Sequence, residues 1–290
     1  MRIVHCSRDD PPMHTIAYLG PAGTFSEEAA IRYAADRGDV AYLPLASIPA
    51  VVTAIETDAA TVGLLPIENL LEGSVSFTLD LLIHETALQI AGETVIPIRQ
   101  YLVTRPGVAM SEVKVLYAHP QSLGQCRKFV ERCLPGVATV ASLSNSAAPA
   151  EAMADDRPAA AISTWRAAEI TGAQVVAREI ADNLGNVTRF IVLARHGAPP
   201  TGDDKTSFCF GFNTTDRAGT LVGALQELAE AGINMTKVES RPSKTLLGQY
   251  IFLVDINGHR EEEHVAQALE RLRQRTGMLK VFGSYPRWQP

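Results

Sequence analysis

Short apolar runs that end in polar turns and lead into helical stretches recur along the first two thirds of the chain. IAYLG passes through PAGT into FSEEAAIRYAADRG, and VGLLP passes through IENLLEG into SVSFTLDLLIHE. VKVLYAH passes through PQS into LGQCRKFVERC, VATVASLS through NS into AAPAEAMA, and PAAAIS leads into TWRAAEITG. Strands that alternate with helices predict an α/β layered fold with mainly parallel strands. Ligands of such sheets bind at the carboxyl ends of the strands, where these turns lie. TVIPIRQYLVTRP and EVKVLYAH read as the entry to a second lobe, and the strand after Thr188 reads as a return crossing.

A different grammar follows RHGAPPTGDDKTS (195–207), whose Gly, Pro and Asp content marks a linker. TSFCFGFN reads as a strand and AGTLVGALQELAEAG as a helix with Leu221, Leu225 and Leu228 on one stripe. INMTKVESRP and GQYIFLVDIN read as strands joined at SKTLL. A helix with Val265, Leu269 and Leu272 inward and a last strand, MLKVFGSY, complete βαββαβ, the ferredoxin-like unit. The expected division is an extension over residues 1–14, a two-lobed domain over 15–198 and a small domain over 205–288. Lobe one takes about 15–94 plus 187–198, and lobe two about 95–186.

Composition narrows the function more than the fold. A net charge of −6 without a basic stripe argues against nucleic-acid binding, and no apolar run reaches membrane-spanning length. Cys6, Cys126, Cys133 and Cys209 contain no Cys-x-x-Cys pair, which suits reduced thiols in a cytoplasm. Cys126 and Cys133 fall on one expected helix, as packing residues. There is no Gly-rich phosphate loop, no G-x-S-x-G elbow and no ligand spacing among the seven histidines, so neither cofactor nor metal is expected.

What remains is a set of polar turns. Thr24 followed by Glu27 is a capping box. Glu68, Asn69, Glu72 and Ser74 share one turn, and His119 and Gln121 start a helix with Pro120 in its first turn. Ser144, Asn145 and Ser146 precede one helix, and Ser163 and Thr164 another. Each alone is adequately explained as a cap. Gathered at one cleft, they would present helix N-termini, amides and hydroxyls to a small, multiply anionic, hydroxylated molecule, with Arg189 as a fixed charge.

AYLGPAGTFSEEAA, LPIENLLEGSV, AHPQSLGQC and NVTRF resemble, in order, the blocks of prephenate dehydratase. AGTLVGAL and INMTKVESRPSK resemble the ACT regulatory domain attached to that enzyme. The resemblance spans about residues 15–285. It implies two lobes of the periplasmic-binding-protein kind (type II), then a ferredoxin-like ACT domain. It implies conversion of prephenate to phenylpyruvate in phenylalanine synthesis, with feedback by L-phenylalanine. The catalytic Thr, Asn and Gln fall on Thr188, Asn69 and Gln121, with Thr24, Ser146, Ser163, Arg189 and Glu68 as substrate contacts. Glu68 or Glu72, raised by burial, is a second expectation for a proton donor. The effector is expected at Gly219, Thr220, Leu221, Val222, Asn234, Glu239, Ser240, Arg241 and Pro242, between two chains of a homodimer or homotetramer. Leu70 stands where Ser is usual, Asn145-Ser146-Ala147 replaces Ser-Thr-Ala, and Gly219-Thr220-Leu221-Val222 replaces Gly-Ala-Leu-Val. Arogenate dehydratase, a dual-substrate cyclohexadienyl dehydratase and a non-catalytic amino-acid sensor are the alternatives.

Overall fold

The computed structural model describes residues 14–212 and 218–289. In chain order the elements begin with β1 (His14–Leu19), α1 (Phe25–Ala34), β2 (Val40–Leu45), α2 (Ile48–Glu56), β3 (Val62–Asn69), β4 (Gly73–Ser74) and α3 (Ser76–His84). β5 (Gln89–Pro97), β6 (Tyr101–Thr104), a 3-10 turn (Met110–Glu112), β7 (Val115–Ala118), α4 (Pro120–Gln125) and α5 (Arg127–Cys133) follow. Next come β8 (Ala138–Ala141), α6 (Ala148–Ala154), β9 (Ala159–Ser163), α7 (Trp165–Thr171), β10 (Gln174–Ala177) and β11 (Val187–Ala194). The chain ends with β12 (Asp204–Gly211), α8 (Thr220–Glu230), β13 (Met235–Pro242), β14 (Tyr250–Asn257), α9 (Glu263–Arg275) and β15 (Met278–Pro286).

The first sheet runs β2-β1-β3-β11-β5, with β4 against β3. β1 is parallel to both β2 and β3. Its Ile16, Ala17 and Tyr18 are buried in succession, as a strand covered on both faces demands. β2 and α2 are absent from the sequence pattern read above. β2 is an edge strand; its residues VAYLPL are all apolar, but Pro44 lies inside it, which reads against a strand.

The second sheet runs β10-β6-β9-β7-β8. β7 is parallel to β8 and β9, but β6 is antiparallel to both β9 and β10, so this sheet is mixed. One core packs on each face. Leu102, Leu116, Ala160 and Ile162 lie on one side, and Val103, Val115, Ala159 and Ala161 with the α6 alanines Ala148 and Ala152 lie on the other. The helix expected to hold both Cys126 and Cys133 is broken at Cys126, which ends α4 and begins α5. Cys126 is buried, and burial pushes its thiol up to about 12, as it does for Cys209.

The third sheet, β13-β14-β12-β15, is the expected βαββαβ unit. β12 is antiparallel to β14 and β15, and β13 is antiparallel to β14. Phe208, Phe210, Val254 and Ile256 bury against Leu228, Val265, Leu269 and Leu272, with Leu221 and Leu225 at the margin.

Contacts divide the chain into two compact units, and the division is not linear. One unit comprises the chain up to Gly73 together with Val95–Arg189. The other comprises Ser74–Thr94 with everything from Phe190 onward. α3 and the first half of β5 therefore pack with the C-terminal sheet. Gly283 makes room for them, since a Cβ there would stand 2.1 Å from the Ile90 carbonyl oxygen. Glu93, almost fully buried, accepts from Lys205 Nζ at 2.8 and 2.9 Å.

Candidate functional site

The polar turn after β3 folds around Asn69. Its side-chain carbonyl accepts from the backbone N–H groups of Leu71 and Glu72, both at 3.0 Å. That fixes which end of the amide is nitrogen. Nδ2 then points at the start of β11 and donates to Thr188 Oγ1 at 2.8 Å, Asn186 Oδ1 at 3.0 Å and the Val187 carbonyl at 3.2 Å. The Leu70 N–H also bonds the Val187 carbonyl, at 2.9 Å, so the two strand ends are tied through main chain as well.

This arrangement makes Asn69 and Thr188 direct partners. Both polar atoms of Asn69 are engaged inside the protein, with Nδ2 directed at Thr188. A threonine hydroxyl has one proton and two lone pairs. Asn69 uses a lone pair, and Thr188 donates to no acceptor among the described residues, so its proton is available for a bound molecule. Asn186, buried at 1% exposure, was not singled out from the sequence. It immediately precedes β11 and shares the Asn69 amide with Thr188.

Gln121 lies elsewhere on the same unit. It lines a cavity of about 660 Å³ with Leu71, Glu72, Gly124, Gln125, Asp182 and Asn183. Leu71 and Glu72 are the residues that clamp Asn69, so one loop serves both places. Gln125 Nε2 donates to Glu72 at 3.3 Å across this cavity. His119 caps α4 by accepting from the Gln121 N–H at 3.3 Å, which fixes the backbone of Gln121 and leaves its amide free to face the cavity. No hydrogen bond among the described residues joins Gln121 to Asn69 or Thr188.

Thr24, Ser146 and Ser163 form a third group. Thr24 caps α1 through the Glu27 N–H, but the Glu27 carboxylate reaches back to the Gly23 N–H, at 2.6 Å, one residue short of a true capping box. A Cβ on Gly23 would meet Ser146 Cβ at 3.2 Å, so Ser146 lies against the Thr24 turn. Neither Ser144, Asn145 nor Ser146 is the N-cap of α6, which starts after Ala147. Ser144 accepts from the Ala147 N–H, and Asn145 accepts from Ser122 at 2.6 Å. Ser163 is fully buried and donates to the Asn145 carbonyl, so it braces the Ser146 turn from behind.

Arg189 pairs with Glu68 at 3.6 Å, with its side chain mostly buried. Glu72 is exposed, and the carboxyl that burial pushes up, to about 7, is Glu28 on α1. Among the described residues, no group of three His, Cys, Asp or Glu side chains could hold a metal ion.

In the C-terminal unit, Gly219 takes a left-handed conformation before α8, with Thr220, Leu221 and Val222 in its first turn. Arg241 pairs in register with Ile251, and Ile251 with Gly211, which sets the end of β13 level with the end of β12. Asn234 instead bonds Asn257, which pairs with Lys205 at the opposite end. Seven residue steps, roughly 23 Å if fully extended, separate Asn234 from Arg241 within one chain. Asn234 lines a cavity of about 290 Å³ with Asn257, Asp203 and Glu262.

β13 alternates. Thr236, Val238, Ser240 and Pro242 are exposed, while Lys237, Glu239 and Arg241 turn towards α3. Ser74 donates to Glu239 at 2.5 Å and accepts from Lys237 at 2.9 Å. Arg241 donates to Ser76 at 3.1 Å and Asp80 at 3.2 Å, and Lys244 donates to Asp80 at 2.6 Å. Burial works to raise the Asp80 carboxyl, but the Lys244 hydrogen bond and the Arg241 charge outweigh it and hold it below its ordinary value.

Fold and site together define a two-sheet α/β binding unit of amides and hydroxyls, carried on one chain with a βαββαβ module of the regulatory type. Residues 16–198 match the family model for prephenate dehydratase, and residues 212–274 match that for the ACT domain. The chain belongs to the prephenate dehydratase family. It is 41% identical to the bifunctional chorismate mutase/prephenate dehydratase of Aquifex aeolicus over 94% of this chain and 73% of that one. The prephenate dehydratase of Arthrobacter aurescens, solved in complex with L-Phe, superposes with a TM-score of 0.85 at 35% identity, covering 94% of this chain and 90% of that one. GqqA, described as a novel type of quorum-quenching acylase, shares the architecture at TM-score 0.84 and 29% identity, over 95% of this chain and 98% of that one.

Proposed function

We propose that this chain converts prephenate to phenylpyruvate, carbon dioxide and water in the synthesis of phenylalanine, with Thr188 as the hydroxyl that acts at the reacting bond. The observation that carries this is the direction of the Asn69–Thr188 hydrogen bond. Because Asn69 donates, the Thr188 O–H is free to donate a hydrogen bond to the substrate.

Loss of the ring carboxylate leaves its electron pair in the ring, the ring becomes aromatic, and the ring hydroxyl departs as hydroxide. Hydroxide is a poor leaving group. A preorganised donor at its oxygen stabilises the negative charge as it develops, and the hydroxide takes a proton to become water. Thr188 is too weak an acid to ionise at neutral pH, so it serves as a hydrogen-bond donor while the proton comes from solvent. Asn69 is a positioning residue for Thr188. Gln121, Thr24, Ser146 and Arg189 supply donors for the two carboxylates and the hydroxyl, and Glu68 keeps Arg189 aligned.

Residues 15–198 are then the catalytic part and 205–288 the regulatory part, in a cytoplasmic enzyme with reduced thiols. L-phenylalanine binds at the first turn of α8 and the end of β13. In one chain Asn234 lies at the far end of its strand from both, so its expected role in the same site requires a second copy. Antiparallel pairing of two β13 edges would bring Asn234 of the partner subunit towards Arg241, which favours a homodimer as the minimum unit.

The test follows phenylpyruvate by its ultraviolet absorbance after addition of prephenate, with arogenate run in parallel. Turnover of prephenate supports the reading. Turnover of arogenate alone replaces it with arogenate dehydratase, and turnover of neither with phenylalanine still bound makes the chain a sensor.

A further inference from the structure

Gly23 sits where two helix starts meet. Its N–H donates to the Glu27 carboxylate at 2.6 Å, within the start of α1. Its carbonyl accepts from Thr164 Oγ1, also at 2.6 Å, and Thr164 is the N-cap of α7. α1 flanks the first sheet, and α7 follows β9 of the second. Gly23 has φ +85, and a Cβ there would stand 3.0 Å from Ala167 Cβ, so only glycine permits this approach.

One further contact crosses the same gap: Arg166 Nη2 faces Glu27 Oε1 at 3.5 Å. Glu27 is 6% exposed and Thr164 fully buried, so water does not compete well for these bonds. Burial raises the Glu28 carboxyl to about 7, and Arg166 Nε is buried without a partner. Beside the junction a cavity of about 480 Å³, lined by Tyr101, Trp165, Arg166, Ile96 and Pro97 among others, leaves room for the helices to part. Thr24 follows Gly23 directly, and Ser163, which braces Ser146, precedes Thr164.

We propose that Gly23 and Glu27 on one side and Thr164 and Arg166 on the other form a latch between the two sheets, and that Thr164, Glu27 and Arg166 are positioning residues that set the spacing of the substrate-contacting turns. This rests on the dehydratase reading for its kinetic consequence, but not for its geometry. A latch raises the fraction of enzyme whose cleft is ready for substrate. Removing it raises the apparent KM by the inverse of the fraction that remains ready, while substrate, once bound, recloses the cleft and turns over at nearly the former rate.

The test uses the full chain with Thr164→Val, Arg166→Met and the pair combined, and Thr164→Ser as the conservative rescue. One hydrogen bond of this kind is worth about fivefold in an equilibrium. Thr164→Val should therefore raise KM for prephenate by up to about fivefold and leave kcat within about twofold. The double variant should exceed it, and Thr164→Ser should return to wild type. A second readout needs no activity. Dyes at Thr53→Cys on α2 and Ala150→Cys on α6, both exposed sites, in a Cys6→Ser, Cys133→Ser background, report the separation of the sheets by energy transfer. Thr164→Val should lengthen and broaden that separation in the unliganded protein. Unchanged KM with unchanged separation overturns the latch. A fall in kcat alone with unchanged separation also overturns it, because it marks a merely structural role. If the wild type turns over no prephenate, the dehydratase reading fails while the separation still decides the latch.

Discussion

Two polar constellations do opposite kinds of work in this molecule. Around Thr188 the groups are amides, hydroxyls and backbone N–H, and Asn69 alone makes five hydrogen bonds. Between α3 and β13 the groups are Lys237, Glu239, Arg241, Asp80 and Lys244, with Ser74 and Ser76 between them. Neutral hydrogen bonds are directional and leave nothing to titrate near neutral pH, so they hold one reacting geometry. The ion pairs here are mostly buried apart from Lys244; they are more tolerant of angle than the neutral bonds, and the Lys244–Asp80 pair is open to screening by salt. That tolerance makes this cluster the place to test for coupling to the proposed effector.

The largest expected effect tests the neutral site. Thr188→Val keeps the shape and removes the proton, and kcat should fall by about 10²–10⁴-fold with KM little changed. Near-normal kcat in the folded variant would remove Thr188 from the mechanism. Asn69→Asp is subtler. It keeps the acceptor for Leu71 and Glu72 but accepts the Thr188 proton instead of donating to it. Turnover should fall roughly 10- to 100-fold, measured by the same absorbance, because the hydroxyl is turned inward. Full activity would show that the direction of this bond does not matter.

Glu28 offers a stability test. Its folded value of about 7 lies above the ordinary 4.5, so the folded state binds the proton more tightly than the unfolded chain. The sign follows: its contribution is greatest below about pH 4.5 and is lost as pH rises through about 7. Glu28→Gln should thus stabilise the protein at pH 8 by about 1–3 kcal/mol and have little effect at pH 4.5, read as chemical-denaturation midpoints. Equal effects at both pH values would refute the assignment.

The smallest expected effect belongs to the charged joint. Arg241→Met should cost about 1 kcal/mol of stability at low salt, a difference that shrinks in 1 M salt. It should also blunt inhibition by phenylalanine by about fivefold, the lower end of allosteric coupling. An unchanged inhibition curve would separate this joint from control.

Much of the first constellation is legible in the sequence, because Asn69 and Thr188 lie in short blocks of recognisable composition. The direction of their bond is not. It depends on two backbone N–H groups of a turn meeting a strand 119 residues further on. β2 escaped notice because the proline inside its apolar run VAYLPL reads against a strand. The second constellation is hidden for another reason. Ser74 and Glu239 are 165 residues apart, and no local pattern announces that α3, sandwiched in sequence between two catalytic blocks, packs with the C-terminal sheet.

That packing bears on how the protein can be cut and recombined. The linker at 195–203 looks like the natural place to divide it, and a protease or an engineer would choose it. Yet a fragment ending there keeps α3 and the start of β5 while losing what covers them, including the Lys205 partner of buried Glu93 and the Gly283 surface against Ile90. Such a fragment is expected to be sticky and poorly soluble, and its failure to respond to phenylalanine would say little about regulation. A chimera carrying another regulatory module would have to bring its own version of residues 74–94. In this protein the heritable unit of exchange is two stretches of chain, not one.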